Sequence, residues 1–200
     1  MTDRGAFIAF EGGEGCGKST QAARLATRRG AVLTREPGGT PLGERVRAIF
    51  LDPAAEVDAW AEVLLVAAAR AQLVADVIAP ALSEGRDVVT DRFSGSSLAY
   101  QGYGRGLPVD AVARISGFAT RGIEPDVVVL LDVTAEVAVA RLGTERDRLE
   151  AAGDKFHERV RLGYRELAAT HDRWVVVDGS GTIDDVEAAV WKAVSGRIGW

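Results

Sequence analysis

Five short runs of mostly apolar, often β-branched residues recur along the 200-residue chain, separated by longer stretches of helical pattern. Apolar residues fill these runs instead of alternating with polar ones, which is typical of parallel strands buried on both faces. The predicted strands cover residues 6–11, 31–34, 87–91, 127–132 and 174–178. The predicted helices cover residues 17–29, 42–50, 55–83, 109–120, 135–142, 154–170 and 183–196. This alternation implies right-handed crossovers and predicts a three-layer α/β fold, in which helices flank a five-stranded parallel sheet.

Length and composition indicate one domain over residues 1–200, because no linker, repeat or low-complexity tract divides the chain. A net charge of −5 argues against nucleic-acid or membrane-surface binding. Cys16 is the single cysteine, which excludes an intrachain disulfide and a zinc site built from cysteines. The N-terminus lacks the pattern of a signal peptide, and no apolar run approaches the ~18 residues of a membrane span. We therefore predict a cytoplasmic protein that binds neither nucleic acid nor membrane.

The residues after the first predicted strand match the pattern G-x-x-x-x-G-K-[ST] and lead directly into a predicted helix. The matching residues are Gly12, Gly13, Glu14, Gly15, Cys16, Gly17, Lys18 and Ser19. Glycines let backbone N–H groups turn toward phosphate oxygens, and the helix N-terminus adds partial positive charge. Lys18 is expected to reach the β- and γ-phosphates, and Ser19 to ligate Mg²⁺. The pattern predicts a nucleotide-binding phosphate loop.

A phosphate loop alone does not distinguish a GTPase switch, a motor and a kinase. Guanine-specific GTPases use an N-K-x-D element, and this chain contains no Asn, which disfavours the switch class. A kinase needs a second site for the phosphoryl acceptor, and the end of the third predicted strand offers one. Asp91 can hold Mg²⁺ there directly or through water, and Arg92 can bind phosphate with two parallel hydrogen bonds. Residues 94–106 are rich in glycine and hydroxyl groups that can surround a polar base.

Three further motifs resemble those of bacterial thymidylate kinases. Residues 91–102 resemble a strand-end D-R-[FYH] that leads into S-x-x-A-Y-Q-G, residues 35–40 resemble R-E-P-G-G-T, and residues 64–72 resemble L-L-F-x-A-x-R-x-Q. The resemblance covers nearly the whole chain and implies a P-loop kinase fold. It also implies transfer of the γ-phosphoryl group of ATP to dTMP with Mg²⁺, and a homodimer for which the helix over residues 55–83 is a plausible interface.

The resemblance implies a role for each matching residue. The dTMP-binding residues would be Arg47, Val66, Arg70, Arg92, Ser97, Tyr100 and Gln101. Among them, Tyr100 would lie under the deoxyribose and exclude a 2′-hydroxyl group. ATP would contact the eight phosphate-loop residues together with Thr20 and Arg141, while Ser19 and Asp91 would hold the metal. The catalytic residues would be Lys18, Arg92, Arg148 and Glu36. Two alternative interpretations stay open. In one, Arg47 and Arg70 are surface charges, and in the other, Tyr100 is an aromatic residue of the core.

The family divides by where a catalytic arginine lies, either inside the phosphate loop or on a mobile lid. This chain has Glu14 in the loop, and residues 144–150 resemble a lid of the second type, which predicts a short lid around residues 143–153. Only one guanidinium group need reach the charge on the phosphoryl group that is being transferred. Arg148 is a better candidate for this role than Arg146.

Val66 stands where the family usually has a phenylalanine that stacks on thymine. If another aromatic fills that space, Phe93 and Trp60 are the candidates. Another nucleoside-monophosphate kinase is the alternative enzyme, and a noncatalytic nucleotide-sensing module is the alternative of a different class.

Overall fold

A five-stranded parallel sheet forms the centre of the fold in the computed structural model, which describes residues 4–143 and 147–200. The strands are β1 (Phe7–Glu11), β2 (Val32–Arg35), β3 (Val88–Asp91), β4 (Val127–Asp132) and β5 (Trp174–Asp178). Their spatial order is β2-β3-β1-β4-β5, and every neighbouring pair is parallel. The predicted fold class is confirmed, and each predicted strand ends within one residue of the observed one.

Helices cover both faces of this sheet. They are α1 (Lys18–Arg29), α2 (Pro41–Leu51), α3 (Ala59–Leu73), α4 (Ala79–Ser83), α5 (Ser94–Ser97), α6 (Val109–Thr120), α7 (Ala135–Arg141), α8 (Asp154–Thr170) and α9 (Ile183–Ile198). On β1, Ile8 and Phe10 pack with α1 and α9, whereas Phe7 and Ala9 pack with α3 and α4. This alternation follows from the two-residue period of a strand and gives the three predicted layers.

Two segments differ from the predicted helices. The helix predicted over residues 55–83 begins at Ala59, where Asp58 caps it, and a π-helical segment (Val74–Ile78) joins α3 to α4. No helix was predicted over residues 94–104, but α5 continues there into a second π-helical segment (Leu98–Gly104). Gly and Ser have weak helix propensity, so the packing of this segment against α8, not its composition, stabilises it.

The continuous helix Ala59–Ser83 is long and apolar enough to cross a membrane by length and composition alone, with a mean hydropathy of 1.7. This differs from the expectation that no apolar run is long enough. A core helix meets the same criterion, and Val66, Leu73 and Ile78 of this helix are buried in the fold. Packing inside the fold therefore explains the buried part of this apolar composition, which is 44% of an 18-residue window of the helix.

Candidate functional site

The carboxyl ends of β1, β2 and β3 lie along one edge of the sheet and open into a cavity of about 540 Å³. In an open parallel sheet this is the edge at which ligands bind. The predicted site residues that line the cavity are Glu14, Lys18, Ser19, Glu36, Arg47, Val66, Arg70, Asp91, Arg92, Ser97, Tyr100 and Gln101. The structure thus brings phosphate-loop residues and the predicted dTMP-binding residues together around one cavity.

The phosphate loop turns between β1 and α1 through two glycines at positions that disfavour any side chain. Gly12 (φ 147°) and Gly15 (φ 73°) adopt backbone conformations that favour glycine. A Cβ atom on Gly12 would lie 2.6 Å from the Leu131 carbonyl oxygen, and one on Gly15 would lie 2.5 Å from that of Ala138. No side chain of the described residues caps the N-terminus of α1, so its first N–H groups are available to an anion.

Lys18 and Thr20 occupy different environments at the start of α1. The buried Lys18 ammonium donates to the Gly13 carbonyl oxygen and to Glu14 Oε2, both at 3.2 Å. It therefore lies over the loop, as a phosphate-binding lysine would. Thr20 is exposed and does not line the cavity, and Cys16 is buried beneath the loop.

Ser19 and Asp91 provide oxygen atoms where the metal is predicted. The Ser19 hydroxyl group donates to Asp91 Oδ2 at 2.5 Å. The other carboxylate oxygen, Asp91 Oδ1, is buried and has no hydrogen-bond partner among the described residues. Mg²⁺ prefers oxygen ligands, especially carboxylates. This pair of residues therefore fits a Mg²⁺ ion next to the phosphate loop.

Arg92 connects the phosphate loop to the second π-helical segment (Leu98–Gly104) through hydrogen bonds. Its backbone is in the left-handed region (φ 74°), which is uncommon for a residue with a side chain. Nη1 donates to the Gly12 carbonyl oxygen (3.1 Å) and to the Tyr164 hydroxyl (3.0 Å), while Nη2 binds Glu14 and donates to the Tyr100 hydroxyl (3.1 Å). The guanidinium group is thus fixed between the donor and acceptor sides of the cavity.

Glu14 is held in its charged form by its neighbours. Burial alone would raise the pKa of Glu14, but the charges of Arg92 and Lys18 outweigh burial and hold this pKa well below its usual range. Burial would lower the pKa of Arg92, yet the adjacent Glu14 carboxylate raises it. The pKa of Tyr100 is raised, first by burial. Its hydroxyl group donates to Glu14 Oε1 at 2.9 Å and therefore stays protonated.

Arg70 extends from α3 into a buried polar pocket at the other end of the cavity. It donates through Nε to Glu36 Oε2 (2.7 Å), through Nη1 to the Ser116 hydroxyl (3.2 Å), and through Nη2 to the Phe93 carbonyl oxygen and the Ser97 hydroxyl (both 3.1 Å). These bonds use four of the five N–H groups of a guanidinium. With only 1% of its surface exposed, Arg70 is not a surface charge, and one of its Nη1–H groups makes no hydrogen bond to the described residues.

Glu36 is an uncommon carboxylate because burial raises its pKa to about 7, against the opposing charge of Arg70. Its second oxygen, Oε1, is buried without a hydrogen-bond partner among the described residues. Glu36 was predicted to act near the transferring phosphoryl group. In the structure its partner is Arg70, on the predicted base-binding side.

Val66 lines the cavity and packs in one apolar cluster with Phe50, Tyr100 and Leu149. Neither of the two aromatic residues considered as substitutes for a stacking phenylalanine lines the cavity. Phe93 is buried against Phe7 with their ring centroids 5.0 Å apart, and Trp60 is 39% exposed. Phe50 of α2 lines the cavity instead.

Three predicted arginines lie in different places. Arg47 lines the cavity and donates to the Pro37 carbonyl oxygen at 3.1 Å. Arg141 ends α7 and donates to the Gly179 carbonyl oxygen at 2.8 Å, in the loop after β5. Arg148 binds Glu62 and Phe50, so the described structure does not bring it to the phosphate loop. Arg146 and the neighbouring residues of the predicted lid, 144–145, lie outside the described residues.

Sequence reasoning missed several residues of the site, above all Glu11. This wholly buried carboxylate ends β1 and accepts hydrogen bonds from the Ser96 hydroxyl (2.6 Å) and the Tyr164 hydroxyl (3.0 Å). Burial raises its pKa. An acidic residue that ends a buried strand directly before a phosphate loop was a usable signal for Glu11. Ser96 lies within the hydroxyl-rich segment 94–106, but no comparable signal marked Phe50 or Glu62.

Comparisons with known proteins agree with this geometry. The family model described as Thymidylate kinase matches residues 10–190. A protein named Thymidylate kinase from Deinococcus radiodurans is 48% identical to this chain over 97% of the chain and 98% of its own length. Those of Geotalea daltonii and Leifsonia xyli are 44% and 46% identical, each over 97% of this chain, and the alignments cover 98% and 96% of their own lengths. The matched segment contains every cavity residue named above.

Proposed function

This chain belongs to the thymidylate kinase family, and we infer that it is an ATP-dependent enzyme that phosphorylates dTMP to dTDP. One structural observation supports this assignment more than any other. A phosphate loop and a buried set of hydrogen-bonding side chains suited to a base line the same cavity, with Arg92 between them. We also propose a cytoplasmic location, because ATP is supplied there.

On the donor side, the β- and γ-phosphates of ATP would lie on the backbone N–H groups of the phosphate loop, with Lys18 reaching over them. Binding would release Lys18 from Glu14 and the Gly13 carbonyl oxygen, which its ammonium contacts at 3.2 Å. Ser19 and Asp91 would hold Mg²⁺, which when bound neutralises charge on the phosphates. The partnerless Asp91 Oδ1 supports this assignment.

On the acceptor side, Arg92 would hold the dTMP phosphate, with Arg47 nearby on α2. Arg92 is already fixed by Glu14 and by two tyrosine hydroxyl groups, so little reorganisation is needed when phosphate arrives. Catalysis would consist of holding the acceptor oxygen in line with the γ-phosphorus atom and stabilising the transferring charge. Glu36 would contribute by orienting Arg70, its hydrogen-bond partner.

The base would lie against Val66 and Phe50, with its polar edge toward Arg70, Ser97 and Gln101. The free Nη1–H group of Arg70 can donate to a base carbonyl. Tyr100 is buried and lines the cavity beside Glu14, which supports its place under the sugar. Arg148 reaches the phosphates in this proposal only if it leaves Glu62 when both substrates are bound.

A coupled assay of ADP release with dTMP, dUMP, dCMP, dGMP and AMP tests the assignment. We expect the highest kcat/KM with dTMP, dependence on Mg²⁺, and loss of turnover in Lys18→Ala, the control for contaminating kinases. Preference for AMP or dGMP would identify another nucleoside-monophosphate kinase. ATP binding without turnover on any acceptor would identify a nucleotide-sensing module.

We propose further that the chain forms a homodimer through the outer surface of α2, α3 and α6. The supporting observation is a set of exposed apolar side chains on these neighbouring helices: Ile49, Trp60, Leu64 and Phe118. Phe118 is 85% exposed, and an exposed cluster of this kind is typical of an interface. Sedimentation of Phe118→Arg should show monomers. The matched control Ile183→Arg, on α9 across the sheet, should stay dimeric, and a monomeric wild type would contradict the proposal.

A further inference from the structure

Glu62 of α3 is a wholly buried carboxylate that the assignments above do not use. Its Oε2 accepts from Gln101 Nε2 (3.0 Å) and Arg105 Nε (3.2 Å). Its Oε1 accepts from Arg105 Nη2 (2.8 Å) and Arg148 Nη1 (2.5 Å). A carboxylate has about four accepting positions, so these four donors occupy all of them. Glu62 is therefore held in place, and it holds the Gln101 amide in turn.

The consequence for Gln101 follows from the chemistry of its amide. An amide has one donating end and one accepting end, and either can face a given neighbour after a rotation of half a turn. Both oxygens of the Glu62 carboxylate already accept from guanidinium groups, so Glu62 faces Gln101 only as an acceptor. Gln101 must therefore turn its NH₂ group toward Glu62, which leaves its carbonyl oxygen for the cavity that Gln101 lines.

We propose that Glu62 is the positioning residue that makes Gln101 a hydrogen-bond acceptor toward the base, and so selects thymine over cytosine. This inference rests on the proposed function. Thymine carries a proton on N3, which an oriented carbonyl oxygen can accept, whereas N3 of cytosine is itself an acceptor. The remaining N–H group of Arg70 also favours thymine over cytosine. It can donate to the carbonyl oxygen at position 4 of thymine, whereas cytosine has an amino group at that position.

Reversal of the Gln101 amide is the test. In Glu62→Gln, the Oε1 position still faces guanidinium N–H groups of both Arg105 and Arg148, whereas the Oε2 position faces one from Arg105 and the amide of Gln101. The new oxygen is therefore favoured at Oε1, which places the new NH₂ group against Gln101. Gln101 must then turn its oxygen toward residue 62 and its NH₂ group toward the base. We expect the ratio of kcat/KM for dTMP over dCMP to fall at least ~10-fold, since one matched hydrogen bond becomes a mismatched one.

The ratio for dTMP over dUMP separates this role from a structural one. Uracil and thymine share the N3 proton and the O4 carbonyl group, so Glu62→Gln should leave that ratio within about twofold, whereas general damage to the pocket would alter both ratios. Arg105→Met is the matched control. It removes the two-pronged partner of Glu62 but keeps the bond between Gln101 and Glu62, so the ratio for dTMP over dCMP should be unchanged.

A double-mutant cycle completes the design. In a Gln101→Met background, Glu62→Gln should have no further effect on base selectivity, because the side chain through which it acts is absent. If Glu62→Gln does not purify as a folded protein, Glu62→Leu combined with Arg105→Met removes the carboxylate together with one of its two cations, while Arg148 keeps its bond to the Phe50 carbonyl oxygen. The Gln101 amide then loses the partner that orients it, so a smaller fall in the ratio for dTMP over dCMP is expected there.

The outcomes are distinct. If the wild type prefers dTMP and a folded Glu62 variant keeps the full preference over dCMP, the inference is wrong and the proposed function stands. A wild type without dTMP kinase activity would overturn the proposed function itself.

Discussion

The buried pair of Glu36 and Arg70 gives a quantitative prediction about stability. Burial and pairing act in opposite directions on the Glu36 carboxylate, and burial prevails, raising its pKa from an ordinary value of 4.5 to about 7. Because the folded state holds this proton more tightly than the unfolded state, Glu36 stabilises the fold at low pH. That contribution is lost as the pH rises from about 4.5 through about 7.

The full difference between these two pKa values corresponds to about 3.4 kcal/mol. Between about pH 5 and pH 8, the free energy of unfolding of the wild type should fall by about 2.5 kcal/mol relative to Glu36→Gln, which cannot titrate there. Urea unfolding of both proteins at several pH values, without nucleotide, measures this difference directly. Other titrating groups cancel in the comparison if they are unaffected by the substitution.

Glu44→Gln is the matched control. Glu44 is half exposed and paired with Arg35, and a backbone hydrogen bond from Gly39 is the first cause that lowers its pKa. Its pH-dependent difference from the wild type should therefore be small and opposite in sign. A difference between the wild type and Glu36→Gln that does not change with pH, or a wild type that gains stability relative to the variant as pH rises, would show that the ion pair with Arg70 outweighs burial. The reasoning about Glu36 would then be wrong.

Four further predictions concern turnover and binding. Lys18→Ala should lower kcat at least ~100-fold while the fold stays intact, and near-normal turnover would remove the phosphate loop from the mechanism. Arg148→Ala should lower kcat more than it raises either KM in steady-state kinetics, whereas a pure KM effect would leave Arg148 a binding residue. Tyr100→Ala should narrow the preference for dTMP over its ribo analogue, which Tyr100→Phe should keep; an unchanged ratio in Tyr100→Ala would place ribose exclusion elsewhere. Val66→Phe should tighten dTMP binding about fivefold by calorimetry, through added stacking; weaker binding with a lowered melting temperature would instead show overpacking against Phe50.

The sheet was predictable from the sequence because its inner strands β1, β3 and β4 are buried on both faces and read as continuous apolar runs. The edge strands β2 and β5 are partly exposed but carry similar short apolar runs. The segment from Ser94 to Gly104 was not predictable as a helix. Its glycines and serines favour a loop locally, and the side chains that hold it in place, such as Phe156 and Tyr164 of α8, come from far along the chain. Propensity is local, whereas the packing that overrides it is not.

Within the site, residues tied to a phosphate loop or to a strand end could be placed from the sequence alone. Lys18, Asp91 and Arg92 belong to this group, since parallel strands bring their carboxyl ends to one edge. Partners that meet from separate elements could not be placed. Nothing in the sequence indicates that Glu36 pairs with Arg70, or that Glu62 gathers Gln101, Arg105 and Arg148, because these contacts depend on how α3 lies across the sheet.

The surroundings of Glu14 explain why the arginine of this chain is expected on the lid. Glu14 is bound by both Lys18 and Arg92, so the phosphate loop already balances two cations with one anion. An arginine at position 14 would place three cations together, would remove the carboxylate that both Lys18 and Arg92 bind, and would also remove a partner of the Tyr100 hydroxyl. Moving the catalytic arginine from the lid to position 14 of the phosphate loop therefore requires more than one substitution. With Glu14 in place, a further positive charge for the transition state has to come from outside the loop. In the proposed mechanism Arg148 supplies it after leaving Glu62 and Phe50, which its Nη1 and Nε bind in this structure, while its Nη2 has no partner among the described residues.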